Sequence, residues 1–130
     1  MNLIQNAQES VFFMAFSFTS DDIAAAMREQ AGAGVTVKGI FDESQYFFNI
    51  GTEFDNLRDS GLGVHLDGNP RNMHHKIIII DEKIVITGSY NFSQSAEERN
   101  DENVLIIHNA EVAETYLNEF ERVLAKAISE

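Results

Sequence analysis

The sequence predicts an α/β fold, a mixed β-sheet flanked by helices on both faces. Three observations predict it. Strand-like and helix-like segments alternate through the first half of the chain, as parallel crossover units require. Three strand-like segments follow, Met73–Ile80, Ile84–Thr87 and Asn103–His108. A long amphipathic segment then closes the chain.

The elements follow in order. Leu3, Ile4 and Ala7 are apolar at helical spacing, so Asn2–Ser10 reads as the end of a helix. Val11–Phe18 is aromatic and β-branched and reads as a strand. Thr19 with Asp22 resembles a capping box. Ile23, Ala24, Met27 and Ala31 then form one apolar helical stripe, which Gly32 and Gly34 end. Val35–Phe41 alternates as a strand and runs into Asp42. Ser44–Ser60 reads as irregular, then helical. Gly61 and Gly63 bracket a turn into a short strand, Val64–Leu66. Asp67–Arg71 is a loop with the single proline, Pro70. The tight turn Asp81-Glu82-Lys83 joins two strands. Asn109 is the expected cap of the last helix, with Val112, Tyr116, Leu117, Phe120, Val123, Leu124 and Ile128 facing inward.

The chain has 130 residues, 44% of them hydrophobic, which suits one compact domain spanning residues 1–130. It contains no cysteine, so disulfides and thiolate zinc sites are excluded. No segment is apolar for the length of a membrane span. No charged-then-apolar leader precedes the folded pattern, so no signal peptide is expected in this chain. Met1 as the native start implies the cytoplasm, whereas a trimmed start leaves the periplasm or secretion open. Nine Lys and Arg stand against 21 Asp and Glu, a net charge of -12. A domain gripping long nucleic acid by overall charge is usually basic. Here any polyanion must be drawn to a local positive spot. The plain reading of the acidity is solubility.

The chemistry concentrates between Met73 and Asn103. His74 and Lys76 are two residues apart on a strand, so they share a face with Ile78. The chain turns at Asp81–Lys83 and returns. Gly88, Ser89 and Asn91 come back near His74. A lysine charge with hydroxyl and amide donors can hold a phosphate. The imidazole, ionising near neutrality, is left for the reaction. His75 faces the other way, and His65 and His108 have no evident catalytic partner; all three read as packing or surface residues.

The pattern His74-x-Lys76, four residues, Asp81, six residues, Gly88-Ser89-x-Asn91 resembles the HKD signature of the phospholipase D superfamily. Ser93, Ala96-Glu97, Asn100, Glu102 and Asn103 are similar to its small bacterial Nuc-type endonuclease branch, as are Ala15–Thr19 and Asp42-Glu43. The family's first strand has no clear counterpart before Asn2. The resemblance implies a phospholipase D-like α/β/α sandwich and a metal-independent phosphodiesterase without cofactor. Its implied catalytic set is His74, Lys76, Ser89, Asn91 and Glu102, with Asp81 in the signature. Of these, Lys76, Ser89 and Asn91 would bind the substrate phosphate. Glu102 resembles the acid that orients the histidine. Asp81, at the far turn, is expected to have a structural or dimer-fixing role.

Phosphodiester cleavage through a covalent intermediate needs a nucleophile on one side of phosphorus and an acid on the other. One imidazole cannot do both, and the chain has one signature. A homodimer with its two-fold axis through the active site supplies the second. One His74 would form a phosphohistidine, the other would act as acid and then base. Nucleic acid is the favoured substrate, with Arg71, Lys76 and Arg99 as a local basic groove. Lipid phosphodiesters are the alternative, for which Tyr46-Phe47-Phe48 and Ile50 offer an aromatic cluster, although ordinary core packing is the favoured reading of those residues. A non-enzymatic phosphate-binding scaffold, or a catalytic domain cut from a larger nuclease, is the third reading.

Overall fold

The computed structural model describes residues 2–15, 21–42, 53–66, 76–88 and 104–129. These contain four helices and six strands. In chain order they are α1 (Asn2–Gln5), β1 (Ser10–Ala15), α2 (Asp21–Gly32), β2 (Thr36–Phe41), α3 (Phe54–Asp59), β3 (Gly63–Leu66), β4 (Lys76–Ile80), β5 (Ile84–Gly88), β6 (Val104–His108) and α4 (Ala110–Ser129). One sheet joins all six strands in the order β3-β2-β1-β4-β5-β6.

The sheet is mixed, as expected. β1 pairs with β2 and β2 with β3 in parallel, which demands crossover connections. β4 runs antiparallel to β1, and β5 and β6 continue as antiparallel neighbours.

Each face of the sheet has its own core. On one face Val11, Phe13 and Ala15 of β1, Val37 and Phe41 of β2, and Ile78 and Ile80 of β4 pack under α1, α2 and α3. On the other, Phe12 and Met14 of β1, Ile40, Ile77, Ile79, Val85 and Ile107 meet α4. The four isoleucines of β4 thus divide two and two, because alternate side chains leave opposite faces of a strand. Phe13 is wholly buried, a burial that contributes roughly 2–3 kcal/mol. Its ring lies over Gly39, where a Cβ would overlap the ring carbons.

The helices follow their sequence signals. Asp21 and Asp22 stand in the first turn of α2, where the helix dipole favours negative charge. Gly34, just beyond α2, has φ 97°, which a residue without Cβ adopts at little cost. Asn109 caps α4: its Oδ1 accepts the N–H of Glu111 at 2.9 Å and of Val112 at 3.2 Å. Ala113, Phe120 and Val123 of α4 are buried, and Val112, Tyr116, Leu117 and Leu124 pack beside them. Ala113 was not among the expected inward positions, and Ile128 lies beyond the described side chains.

β2, β3 and β5 each differ from expectation by one residue at one end, and two other boundaries differ in ways with a visible cause or extent. The first helix ends at Gln5 rather than continuing to Ser10. The reason is distant: the N–H groups of Gln8, Glu9 and Ser10 are taken by the Asp81 carboxylate. Gln30 Nε2 donates to the Gln5 carbonyl at 2.6 Å, satisfying an acceptor at that helix end. The strand expected over Val11–Phe18 begins at Ser10 and is described to Ala15; residues 16–18, like the expected cap Thr19, lie outside the described residues. Residues 73–75 of the expected strand before Lys76, and Pro70, lie outside as well.

Candidate active site

Pairing places Ala15 opposite both Phe41 and Lys76, and Phe41 opposite Leu66. The β4–β5 register, Ile78 to Ile86, extends to Lys76 beside Gly88. Gly88 pairs with Val104. One end of the sheet therefore carries Leu66, Phe41, Ala15, Lys76, Gly88 and Val104 in a row. For β1, β2 and β3 this is the carboxyl end, where open α/β sheets bind ligands.

Lys76 is the first residue of β4 and is half-buried. Alternation with Ile78 and Ile80 assigns it to the face covered by α1, α2 and α3. His74, Ser89, Asn91 and Glu102 lie outside the described residues, as do Arg71, Arg99, Ile50 and Tyr46–Phe48. Each of those four is linked through at most three residues to Lys76, Gly88 or Val104. The covalent chain thus tethers a histidine, a hydroxyl, an amide and a carboxylate to one short stretch of sheet edge.

Asp81 stands at the opposite end of β4. Its carboxylate accepts the N–H groups of Gln8 (3.1 Å), Glu9 (2.7 Å) and Ser10 (3.0 Å). Burial works against its charged form, but the amides of Glu9, Ser10 and Gln8, with Lys83 nearby, outweigh burial and hold Asp81 below the usual carboxylate range. Asp81 and Glu82 both have positive φ, 53° and 55°, in a turn closed by Lys83 N–H to the Ile80 carbonyl at 3.0 Å.

Two more carboxyl groups stand at the Lys76 end. Asp42 is 1% exposed and its N–H donates to the Ala15 carbonyl at 3.1 Å. Glu53, just before α3, is 6% exposed and accepts from Asn56 Nδ2 at 2.8 Å. Burial and the adjacent Asp21 push Glu53 above its ordinary value, against the pull of Asn56 and Arg28. The Phe54 ring beside it packs edge-on to Phe41 at 5.3 Å, fixing α3 at this end. Sequence reading noted Asp42 but not Glu53, whose partner Asp21 is 32 positions away. Among the described residues no group of three His, Cys, Asp or Glu could hold a metal ion. No helix among them is long and apolar enough to cross a membrane.

Comparison with known proteins is consistent with this arrangement. Residues 1–124 match the family described as "Cardiolipin synthase, PLD-like domain". The chain is 39% identical over 117 residues to a protein named phospholipase D from Rickettsia bellii, covering 88% of this chain and 56% of that protein. It is 36% identical over 117 residues to human mitochondrial cardiolipin hydrolase, covering 90% of this chain and 46% of the relative. The chain thus spans about half the length of these curated relatives. The solved structure of Nuc from Salmonella typhimurium, a phospholipase D family member, superposes with a TM-score of 0.88 at 32% identity, covering 96% of this chain and 84% of that one. A family match over nearly the whole chain, joined to a close structural match, leads to one conclusion: this chain belongs to the phospholipase D superfamily, in the PLD-like domain family and its Nuc-type branch.

Proposed function

We propose that residues 1–130 form one PLD-like catalytic unit, a metal-independent endonuclease that cleaves DNA or RNA through a phosphohistidine at a site shared by two copies. The observation that carries this reading is the row of Ala15, Lys76, Gly88 and Val104 at one end of the sheet. The segments bearing His74, Ser89, Asn91 and Glu102 join the sheet there. The HKD spacing and the likeness to Nuc favour nucleic acid.

In this scheme His74 of one copy attacks phosphorus. The bond to the leaving oxygen breaks, and that oxygen takes a proton from His74 of the other copy. The second imidazole then removes a proton from water. The resulting hydroxide attacks phosphorus and releases the first histidine. Lys76, Ser89 and Asn91 from both copies hold the non-bridging oxygens, a preorganised electrostatic contribution. Glu102 orients the imidazole through its other nitrogen, as the acid of a hydrolase triad does. Asp81 takes no part in bond-making. Its amide contacts support a structural role.

A lipid phosphodiester is the second reading. The relatives named phospholipase D and mitochondrial cardiolipin hydrolase favour it. Plasmid nicking and choline release from phosphatidylcholine vesicles, both in excess EDTA, separate the two. Nicking without choline release supports the nuclease, and the reverse supports the lipase. Activity in neither assay leaves a phosphate-binding scaffold or a piece of a larger nuclease. Loss of all activity in EDTA with recovery on adding metal overturns the metal-independent scheme.

A further inference from the structure

Lys76 is the single base in the row formed by Leu66, Phe41, Ala15, Lys76, Gly88 and Val104. Acidic residues outnumber bases in what joins that row. Residues 16–20, 43–52, 67–75 and 89–103 follow Ala15, Asp42, Leu66 and Gly88 along the chain. Together they carry Glu43, Asp67, Glu97, Glu98, Asp101 and Glu102 against Arg71 and Arg99.

Helix α2 adds to this imbalance. It hands the chain back to β2 at the Asp81 end, where the Thr36 N–H donates to the Glu9 carbonyl at 3.1 Å. A helix of 12 residues is about 18 Å long, close to the length of a strand of 6 residues, so α2 starts at the Lys76 end. Asp21 and Asp22 in its first turn are exposed. Asp55, in the first turn of α3, instead shares its charge with Arg58 at 3.2 Å.

The balance of ranges decides the outcome. A phosphate seated on half-buried Lys76 gains a direct charge pair, which salt screens weakly. The phosphates before and after it on a nucleic-acid strand meet carboxylates at longer range. At about 10 Å in water one such like-charged pair weakens binding about twofold, and several act together. These repulsions fade once salt shortens the screening distance to about 8 Å.

We propose that the Lys76 end selects an isolated phosphodiester: it takes one phosphate and repels those flanking it on the same strand. This rests on the nuclease reading above and narrows it. The favoured nucleic acid is short, and a long strand is accepted only when salt masks its other phosphates. The salt response is then the reverse of that of an ordinary polyanion binder, whose affinity falls as salt rises.

The test is binding of fluorescein-labelled decathymidylate to the full chain carrying His74→Ala, which blocks turnover, as NaCl rises from about 20 to about 150 mM. Affinity is expected to rise over this range. Adding Asp21→Asn and Asp22→Asn is expected to tighten binding about fourfold at the low end, about twofold for each carboxylate, and to make no difference at the high end. Sedimentation keeps the comparison to one assembly state. Affinity that stays flat or falls with salt overturns the proposal, as does equal affinity of the two proteins at low salt. Binding by neither protein also overturns it, because lifting the repulsion has to uncover the phosphate site. Should the Asp21→Asn, Asp22→Asn protein fail to fold, Glu97→Gln with Glu98→Gln replaces it under the same expectation. Plasmid nicking judges the nuclease reading separately. Affinity that rises with salt in a chain that nicks no DNA at about 150 mM NaCl upholds the charge selection and removes the nuclease.

Discussion

Asp81 and Ser10 bond each other twice: the Asp81 carboxylate accepts the Ser10 N–H at 3.0 Å, and the Asp81 N–H donates to the Ser10 carbonyl at 2.8 Å. With Gln8 and Glu9 also donating, one side chain binds the β4–β5 turn to the start of β1. Asp81→Asn keeps the shape and loses the charge. It is expected to destabilise the fold by about 1–2 kcal/mol at neutral pH, the range for charge-assisted hydrogen bonds near solvent. The wild-type advantage, present above the unfolded aspartate value of 3.8, shrinks as pH falls through the lower folded value. Urea midpoints of both proteins between acidic and neutral pH check it; parallel curves count against the tether.

Glu82, unlike Asp81, has no described contact that repays its φ of 55°. Non-glycine residues occupy that region at a cost of about 1–2 kcal/mol. Glu82→Gly is therefore expected to raise stability by about 0.5–1 kcal/mol, after the extra freedom of glycine in the unfolded chain is deducted. Chemical denaturation reads the difference directly, and a destabilised variant contradicts the strain.

Gly39 lies beneath the Phe13 ring in the fully buried core. Gly39→Ala forces a methyl into that ring and is expected to cost about 2–3 kcal/mol or more. Phe13→Leu alone leaves a void, but the double variant should recover part of the loss. The coupling from the four-protein cycle is the measurement, and additive effects refute the contact.

His74→Ala is expected to abolish turnover by several orders of magnitude while leaving the fold intact. Mixing it one to one with wild type, then unfolding and refolding together, tests the shared site. If both histidines are required, activity falls to about a quarter of that of undiluted wild type at equal total protein, because random pairing makes only a quarter of dimers intact. Independent sites give one half.

Much of this architecture was legible locally. The alternation in Val35–Phe41, the aliphatic run before Asp81 and the cap at Asn109 each depend on neighbours a few residues away, and each element formed where its pattern lies. The placement of Asp81 away from Lys76 also followed from strand geometry. What escaped was set by distant partners. Helix α1 stops early because its successors donate to a carboxylate 71 to 73 positions on. Glu53 was not singled out, because only the folded packing buries it. Ala113 was not among the expected inward positions, yet it is fully buried in the core beneath α4.

Ile77–Ile80 presents identical side chains to two separate cores. Sliding this strand by one residue would exchange isoleucine for isoleucine and leave both cores oily. Hydrophobic pattern alone therefore cannot fix its alignment. The carboxylate at its far end can, because a one-step slip would drag it away from three amides at once. Such a slip would also swing Lys76 through the sheet to the α4 side. An aspartate at the far turn thereby decides which face of the sheet Lys76 takes.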